Sequence, residues 1–467
     1  MSRIHIYPEW VLKHRVSGTN VTHVKGKYYL YEVTSVWNKE KKRAQKITKK
    51  YLGRITKEEG LIPSGSRLKI EKVSVKEYGA CNVLNNIGSD VIERLKEYFD
   101  DGETIFTMAT LKLLEQCSFS KMEQLYRHSY LSEMYKDKKL SSKDISLFMR
   151  TFGEKREKIV AFMNSFISGN EHILFDGTNI VSSSEKMNIS RLGKEYESQI
   201  NLLYAFACES KMPVYYRIIA GNIVDVSAFK LSLQETKLKD MVVIADKGFG
   251  SKANFDLLEE SEIKYVVPLK RSNTLINLNT GDKSNFDDYF LFNDRPIWYK
   301  ALNEVIIYLD SDLKIMEEKD YIKRIEQNME GYTKANFIER QYKFGTIILK
   351  TNLTNKSPKD IYYLYKKRLD IEQSFDFLKN SLNSDRSYMQ NEKSLETWAF
   401  INHIALMLNY KVYNLLESNN LLSKYSVSDF LLHLKYIFKI KVNDTWFTSE
   451  ITNKTKKLLE MVGVHIT

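Results

Sequence analysis

One short stretch near the carboxyl end of the sequence combines side-chain types that suit phosphate chemistry. It reads SPKDIYYLYKKRLDIEQSFDFLKNSL (357–382) and predicts a single helix that carries Tyr365, Arg368, Glu372 and Lys379. At 100° per residue, these four side chains fall within a stripe about 60° wide on one helix face. A carboxylate can bind a divalent cation while Arg and Lys bind phosphate groups. The stretch therefore predicts a metal-dependent site that acts on a phosphate compound.

The same stretch also fits an ordinary amphipathic helix with solvated charge pairs. Leu364, Phe375 and Leu378 belong to an apolar stripe beside the polar row, which is typical of a helix that packs on a core by one edge. Glu, Lys and Arg on an exposed helix face often only pair with one another. The spacing Y-x2-R-x3-E-x6-K favours a functional site, because we expect it by chance in roughly one chain in a hundred of this length and composition.

Two aspartates upstream lie in strand-like runs that meet glycine. Asp176 interrupts the apolar run HILFDGTNI (172–180), and Asp246 ends the run MVVIADKGFG (241–250). Ligands of α/β sheets gather at the carboxyl ends of strands, and Gly248 and Gly250 would let a substrate approach the backbone closely. Each aspartate taken alone also fits a turn-forming or capping residue.

Taken together, these motifs resemble a known family. The Tyr-Arg-Glu-Lys signature, with the D-G-T and D-x-G-F contexts of the two aspartates, is similar to DDE-type insertion-sequence transposases of the insertion-sequence-4-like group. The resemblance covers residues 170–270 and 345–410 and is weak elsewhere. It implies a ribonuclease-H-like catalytic core in which Asp176, Asp246 and Glu372 hold two divalent ions, Mg²⁺ or Mn²⁺, whose preferred ligands are such hard oxygens.

The resemblance also implies a reaction and its partners. We expect cut-and-paste DNA transposition, in which a homodimer in a synaptic complex binds the terminal repeats of its element. Two-metal phosphodiester hydrolysis would cut the ends, and the freed 3′-hydroxyl groups would be joined to target DNA. Arg368 and Lys379 would clamp phosphates and Tyr365 would position the strand. The alternatives are a catalytically silent DNA-binding regulator and a ribonuclease-H-like nuclease without strand transfer.

Composition limits the setting of this chemistry. The 467 residues contain no run of 18 apolar residues, and the start lacks the pattern of a signal peptide. We therefore expect a soluble intracellular protein without membrane contact, and the resemblance implies a prokaryotic cytoplasm and association with the nucleoid. Cys81, Cys117 and Cys208 lack metal-ligand spacing, so neither a disulfide nor a zinc site is expected.

The positive charge is concentrated at the amino-terminal end. Residues 1–80 contribute +11 to the net charge of +12. Tyr28 to Trp37 and the run ending at Gly53 predict a β-hairpin with one strongly basic arm. A two-stranded ribbon fits the major groove of DNA, and its cations would neutralise phosphates. The alternative is a charged edge that only deters sheet aggregation. The candidate DNA-binding residues of this arm are Lys41, Lys42, Arg43, Lys46, Lys49 and Lys50.

The remaining elements complete a predicted α/β architecture with a mixed sheet. Helical periodicity over residues 89–168 predicts a helical domain, which is either a scaffold or a helix-turn-helix for DNA. The 125 residues between Asp246 and Glu372 exceed a short core connection, so we expect an inserted β-rich subdomain. The expected division is a basic β-rich DNA-binding segment (1–80), a helical domain (81–169), the core's first part (170–270), the insertion (271–344), the core's second part (345–415) and a carboxy-terminal helical region (416–467).

Three further residues have weaker assignments. Arg271, just beyond a core strand, is a candidate phosphate contact. Trp298 in the insertion is a candidate stacking platform for a displaced base, although a buried core tryptophan is the more common role. His403 lies in the apolar helix LETWAFINHIALMLNYKVYNLLE (395–417), where a core histidine is expected more often than a ligand.

Overall fold

The chain divides into two units. The first comprises Met1–Ser74 with Lys441–Trp446, and the second comprises Val75–Ile440 with Phe447–Thr467. None of the described helices is long and apolar enough to cross a membrane. The computed structural model describes residues 7–39, 41–64, 72–167, 172–184, 187–192, 197–220, 226–236, 242–245, 247–271 and 282–466.

The first unit contains an antiparallel four-stranded sheet. Its small core is formed by Val11, Val21, Leu30 and Ile55, each no more than 2% exposed. The predicted hairpin is confirmed, because the second strand pairs antiparallel with the third. In order across the sheet, the strands are Thr19–Val24, Lys27–Asn38, Arg43–Thr56 and Gly60–Pro63, and a short helix, Glu9–Leu12, precedes them.

The hairpin extends beyond the rest of its sheet. The outer strands pair with it only as far as Glu32 on one side and Gly53 on the other. Residues 34–38 and 43–47 therefore pair with each other and with no third strand in the part of the chain that is described. We call this two-stranded extension, with its connecting turn, the ribbon. Every residue from 43 to 51 is exposed, as expected for a surface that is free to contact a partner.

The second unit begins with helices, as predicted for residues 89–168. The first helix precedes the range in which helical periodicity was found. The helices are Gly79–Ile87, Ser89–Tyr98, Gly102–Glu115, Met122–His128, Leu131–Met134, Ser142–Phe152 and Arg156–Asn164. Cys81, Cys117 and Cys208 are free and buried.

A mixed sheet forms the centre of the second unit. The strand His172–Ser182 lies between an antiparallel neighbour, Ser198–Ala207, and a parallel neighbour, Val242–Ala245. Met212–Ala220 flanks the former, and Lys264–Pro268 flanks the latter in parallel orientation. Numbered along the chain, the five strands have the order 3-2-1-4-5 with the second antiparallel. This order confirms the ribonuclease-H-like core, and helices Val226–Thr236 and Lys252–Glu260 accompany it.

The strands of the insertion continue this sheet. Thr346–Thr351 pairs antiparallel with the core strand Lys264–Pro268 and also with Val305–Asp310. Two more antiparallel strands, Asp288–Phe292 and Arg295–Leu302, extend the sheet outward. The insertion also contributes helices Ser311–Glu326 and Lys334–Arg340. Hydrogen bonding is therefore continuous from the core sheet into the insertion.

The long helix Glu392–Ser418 covers the sheet, as its apolar sequence predicted. It packs on the strand Met212–Ala220 and on helices Gly102–Glu115 and Ser142–Phe152. Helices Val427–Lys435 and Asn453–Met461 follow it. Three short strands, Val73–Glu77, Phe438–Val442 and Thr445–Thr448, lie where the chain passes between the units.

An arginine network joins the helical segment to the sheet. Arg156 Nη1 donates to Glu396 Oε1 at 2.8 Å, and Nη2 donates to Glu235 Oε2 and to the Tyr216 carbonyl oxygen, both at 2.9 Å. The Arg156 side chain is only 24% exposed. Since its partners lie on two helices and a strand, this one guanidinium ties together elements that are distant in sequence.

Replacing Arg156 with methionine should lower the free energy of unfolding by about 3 kcal/mol. The change leaves two largely buried carboxylates without their shared cation. We expect the lower end of the usual range, because Arg217 Nη1 still lies 2.7 Å from Glu235 Oε1. Urea denaturation would measure the loss. Arg150→Met is the matched control, since exposed Arg150 bonds Ser146 on its own helix; an equal loss in both variants would contradict the role given to the network.

His403 is a core residue, as expected. It is fully buried between the rings of Tyr204 and Tyr216, whose centroids lie 5.8 and 5.4 Å away. Among the described residues, neither ring nitrogen has a hydrogen-bond partner. Burial, followed by the positive charge of Arg156, lowers the pKa of His403 to about 3. The folded chain therefore keeps this imidazole neutral.

This lowered pKa predicts a loss of stability in acid. The unfolded chain binds a proton at His403 below about pH 6.5 while the folded chain does not, so protonation favours unfolding. At pH 5, we expect His403 to have reduced the free energy of unfolding by about 2 kcal/mol relative to pH 7. His403→Phe should remove this part of the pH dependence in urea denaturation at the two pH values. An identical decline in the variant would assign it to other groups.

Candidate active site

The central strand of the core carries Asp176. Ile173, Leu174 and Phe175 are fully buried and fix the strand in the sheet, and the next residue, Asp176, has a side chain that is 15% exposed. The Gly177 amide donates to Asp176 Oδ1 at 2.8 Å.

The strand that precedes Asp246 in sequence pairs with the strand that carries Asp176. On the neighbouring parallel strand, Ala245 lies opposite Phe175. Asp246 lies outside the described residues, but it directly follows Ala245 in the sequence. Phe175 and Ala245, which immediately precede the two aspartates, are therefore directly opposite each other on neighbouring strands.

The stretch that carries the signature departs from the single helix expected over 357–382. It begins as expected, because Ser357 and Asp360 form a capping box and Pro358 occupies the first turn. The helix Pro358–Lys366 then ends, and a second helix, Leu369–Asp376, runs into a π-helical turn, Phe377–Ser381. At the first break, the Arg368 amide donates to the Tyr365 carbonyl three residues back, at 3.1 Å, instead of four.

A contact across the fold accompanies this break. Lys367 Nζ donates to Glu209 Oε1 at 2.7 Å, and His172 contacts the same carboxylate through its ring and its backbone amide. Burial alone would raise the pKa of Glu209, but these hydrogen bonds lower it to about 2. The residue next to Arg368 is thus anchored to the start of the Asp176 strand. This anchor was not predicted, since no local sequence pattern relates positions so far apart.

Arg368 brings two of the predicted carboxylates together. Its Nη2 lies 2.5 Å from Glu372 Oε1, and its Nη1 lies 3.9 Å from Asp176 Oδ2. One guanidinium therefore faces a carboxylate from the central strand and one from the helix. This cluster combines hard oxygen donors with a cation that can bind phosphate.

Lys379 occupies a different environment from the one a continuous helix predicts. It lies in the π-helical turn, where the Leu382 amide donates to the Phe377 carbonyl five residues back, at 3.0 Å. Burial lowers the pKa of Lys379, and the Asp385 carboxylate opposes this shift. A π turn is closed by i→i+5 hydrogen bonds, so it holds more residues than an α turn, and such turns often occur at functional sites. The position of Lys379 therefore follows from this turn and not from an even 60° stripe.

Tyr365, three residues before Arg368 in the sequence, lines a cavity of about 510 Å³. The same cavity is lined by Lys247, which follows Asp246 in sequence, and by Lys270 and Arg271 at the end of a core strand. Lys247 and Lys270 were not predicted as site residues, because a lone lysine after a strand carries no specific signal. The cavity thus places three cations and a tyrosine at one edge of the sheet.

Arg271 and Trp298, the two weaker candidates of the insertion, both contact other residues of the protein. Arg271 Nε donates to the Thr346 carbonyl at 2.7 Å, and Nη1 lies 2.9 Å from a Glu317 oxygen. The half-buried ring of Trp298 lies 5.0 Å from the Tyr289 ring, and Lys283 Nζ lies 5.0 Å from its centroid. These contacts fix both side chains within the protein.

The basic candidates at the amino-terminal end lie in the first unit. Lys41, Lys42, Arg43 and Lys46 are exposed on the ribbon, and Lys46 Nζ donates to Asn20 Oδ1 at 2.9 Å. Lys49 and Lys50 are exposed where the ribbon meets the sheet. In the described part of the chain, no carboxylate forms an ion pair with any of these residues. Their charges are therefore available to a polyanion.

Comparison with solved structures gives distant likenesses. The cryo-EM structure of a piggyBac transposase synaptic complex with hairpin DNA is 9% identical over 78% of this chain and 82% of that chain, with a TM-score of 0.41. A Mos1 transposase paired-end complex with the left transposon end is 13% identical over 36% of this chain and 58% of that chain, with a TM-score of 0.16. No curated protein matches the sequence significantly.

The family assignment comes from a family model. The model described as the transposase DDE domain matches residues 167–408, which are 242 of the 467 residues. The matched range contains the core sheet, the insertion and the stretch that carries Glu372. The chain belongs to the family of transposases with a DDE domain.

Proposed function

We propose that this transposase binds the terminal repeats of its element, hydrolyses phosphodiester bonds at the element's ends, and joins the freed 3′-hydroxyl groups to target DNA. The observation that carries the proposal is the placement of Arg368 between Asp176 and Glu372. A carboxylate from the central strand and a carboxylate from the helix Leu369–Asp376 face the same cation, and the neighbouring strand leads to Asp246.

The donor set fits divalent metal ions. Asp176 and Glu372 both face the Arg368 guanidinium, and Mg²⁺ and Mn²⁺ prefer carboxylate ligands of this kind. Asp176, Asp246 and Glu372 would hold two such ions. When bound, two ions would activate the attacking water or 3′-hydroxyl group and stabilise the leaving oxygen.

The remaining residues of the signature would act on the DNA strand. Arg368 would bind a phosphate oxygen near the scissile bond, for which its planar guanidinium is suited. Lys379 would contact a neighbouring phosphate from the π-helical turn. Tyr365, at the wall of the adjacent cavity, would position the strand. The anchor of Lys367 on Glu209 supports this arrangement, because it limits the movement of the helix break beside Arg368.

The DNA itself would be held first by the ribbon. Its exposed cations would neutralise phosphates of the terminal repeat, and its two-stranded form matches the width of the major groove. Arg271 and Trp298 would contact DNA only after exchanging their present protein contacts. A homodimer would bring two element ends into one synaptic complex, and the setting implied by an insertion-sequence origin is a prokaryotic cytoplasm beside the nucleoid.

A cleavage and joining assay tests the proposal. A labelled duplex that carries the element's flanking repeats would be incubated with the chain in Mg²⁺, Mn²⁺ or EDTA. We expect metal-dependent release of a 3′-hydroxyl end and its joining to a target plasmid. Cutting without joining would instead identify a nuclease, and tight binding without cutting in either metal would identify a DNA-binding regulator.

A further inference from the structure

The π-helical turn that carries Lys379 depends on support from the rest of the fold. Helices closed by hydrogen bonds between residues five apart are rare, and they occur mostly as single turns within α-helices. One such bond joins the Leu382 amide to the Phe377 carbonyl at 3.0 Å. A second joins the Ser384 amide to the Lys379 carbonyl itself, at 3.2 Å. The position of Lys379 therefore depends on what holds Ser384 in place.

The long helix Glu392–Ser418 holds the Ser384 side chain. Ser384 is completely buried, and its hydroxyl donates to Asn402 Oδ1 at 2.9 Å, which is nearer than the Leu382 carbonyl at 3.2 Å. Asn402 is only 1% exposed, and its Nδ2 donates to the Trp398 carbonyl at 2.9 Å, which fixes the orientation of the amide. Buried polar groups lose stability without partners, so this pair constrains both side chains. A series of hydrogen bonds thus runs from the long helix to the turn.

The chain directly after this serine is bonded to the strand that carries Asp176. The Val181 amide donates to the Asp385 carbonyl at 2.9 Å. The short strand Arg386–Ser387 then pairs in parallel with residues 181–182. The segment that ends the π-helical turn is therefore attached both to the covering helix and to the strand of the first aspartate.

We propose that Ser384 is a positioning residue for Lys379 and that Asn402 holds it in this role. The role rests on the proposed function, in which Lys379 contacts a phosphate of the DNA strand. Without the bond between Ser384 and Asn402, the turn can return to the α-helical pattern, in which each amide bonds the carbonyl four residues back. That change would rotate the Lys379 side chain about the helix axis. Neither Ser384 nor Asn402 belongs to the signature.

The rate of cleavage at saturating DNA tests the proposal. The substrate is the labelled duplex that carries the element's flanking repeats, in Mg²⁺. Ser384→Ala should lower this rate about tenfold, because small displacements of positioned groups cost up to about a hundredfold. The duplex concentration that gives half-maximal cleavage should stay the same, since the substitution removes no charge. A wild-type rate at saturating duplex would overturn the proposal.

A second substitution tests whether Ser384 acts through Lys379. In a chain that already carries Lys379→Met, adding Ser384→Ala should cause no further loss of cleavage, because the group that Ser384 positions is gone. Substitutions that act independently have additive free-energy effects, so their fold-losses multiply. Losses that multiply would therefore place the effect of Ser384 elsewhere and contradict the proposal.

Removing both hydrogen-bond partners separates positioning from stability. Ser384→Ala alone leaves the buried Asn402 oxygen without this donor, whereas adding Asn402→Leu replaces the pair by apolar side chains, which costs less stability. We expect urea denaturation to place the double variant nearer to the wild-type chain than the single variant. Its cleavage should stay as low as that of Ser384→Ala. Recovery of cleavage together with stability would assign the pair to the fold alone.

Thr397→Val is the matched control. Thr397 is fully buried on the same long helix, and its hydroxyl donates at 2.7 Å to the Met149 carbonyl on the helix Ser142–Phe152. This variant also loses one buried hydroxyl, but it should cleave at the wild-type rate. A loss of cleavage equal to that of Ser384→Ala would show a general effect of core polar groups and would overturn the proposal.

Hydrogen exchange over residues 377–384 gives a readout that does not need cleavage. Amides of the turn should exchange faster in Ser384→Ala than in the wild-type chain and in Thr397→Val, because the turn has lost its attachment. Equal exchange in all three would refute the attachment. A wild-type chain that fails to cut the duplex would refute the proposed function, whereas a cutting wild-type chain with an equally fast Ser384→Ala variant would refute the positioning role alone.

Discussion

Glu372→Gln should abolish DNA cleavage while leaving DNA binding intact. The substitution removes one negative charge from the cluster of Asp176, Arg368 and Glu372 but preserves the size of the side chain. We expect cleavage to fall at least about a thousandfold, the order associated with losing one preorganised electrostatic interaction in an active site. Gel analysis of end-labelled duplex in Mg²⁺ would measure cleavage, and anisotropy with the same duplex would measure binding.

The fold should tolerate this substitution. The Glu372 side chain is 45% exposed, and an exposed pair with Arg368 four residues before it on the chain contributes little to stability. Arg368 also keeps Asp176 as a partner. Asp376→Asn is the matched control, because Asp376 is an exposed carboxylate one helical turn further on that bonds only Asn380 among the contacts described. Cleavage by the glutamine variant at the wild-type rate would refute the role of Glu372.

The sequence was informative where local patterns determine structure. Apolar runs predicted the strands that lead to Asp176 and Asp246, and the Ser-Pro start predicted the beginning of the helix before Arg368. The ribonuclease-H-like core followed from the family resemblance carried by these residues. The strands and the helix start were predicted from neighbouring residues, whereas the resemblance rests on motifs spread from Asp176 to Lys379.

Features that depend on distant contacts could not be predicted in this way. The helix break next to Arg368 coincides with the Lys367 contact to Glu209, and the partners are 158 positions apart. The π-helical turn at Lys379 has no sequence signal in its apolar and polar pattern. The insertion was expected as a separate element, and only strand pairing reveals that its sheet is continuous with the core. Arg156 gave no sign of its role, because its carboxylate partners come from remote helices.

We expect a second large effect, on DNA affinity, when the cations of the ribbon are replaced. Replacing its four cations with glutamine should reduce affinity for a terminal-repeat duplex by about two to three orders of magnitude near physiological salt. The slope of log affinity against log salt should fall by about 3.6, since each phosphate contact on a duplex contributes about 0.9. Glutamine removes the positive charge but keeps a polar side chain that can donate hydrogen bonds. The substituted residues are Lys41, Lys42, Arg43 and Lys46.

A control with equal charge separates ribbon binding from general attraction. Lys13, Lys25, Lys27 and Lys57 are exposed on the same unit but lie outside the ribbon, so their replacement by glutamine gives the same net charge. Anisotropy between about 50 and 200 mM salt, a range over which phosphate contacts dominate affinity changes, would compare the two variants. If the ribbon enters the major groove, we expect the slope of log affinity against log salt to fall strongly in the ribbon variant. The control variant should keep a slope near that of the wild-type chain. Equal slopes in both would leave the ribbon as a charged edge that prevents sheet aggregation, because exposed lysines on unpaired strands also serve that purpose.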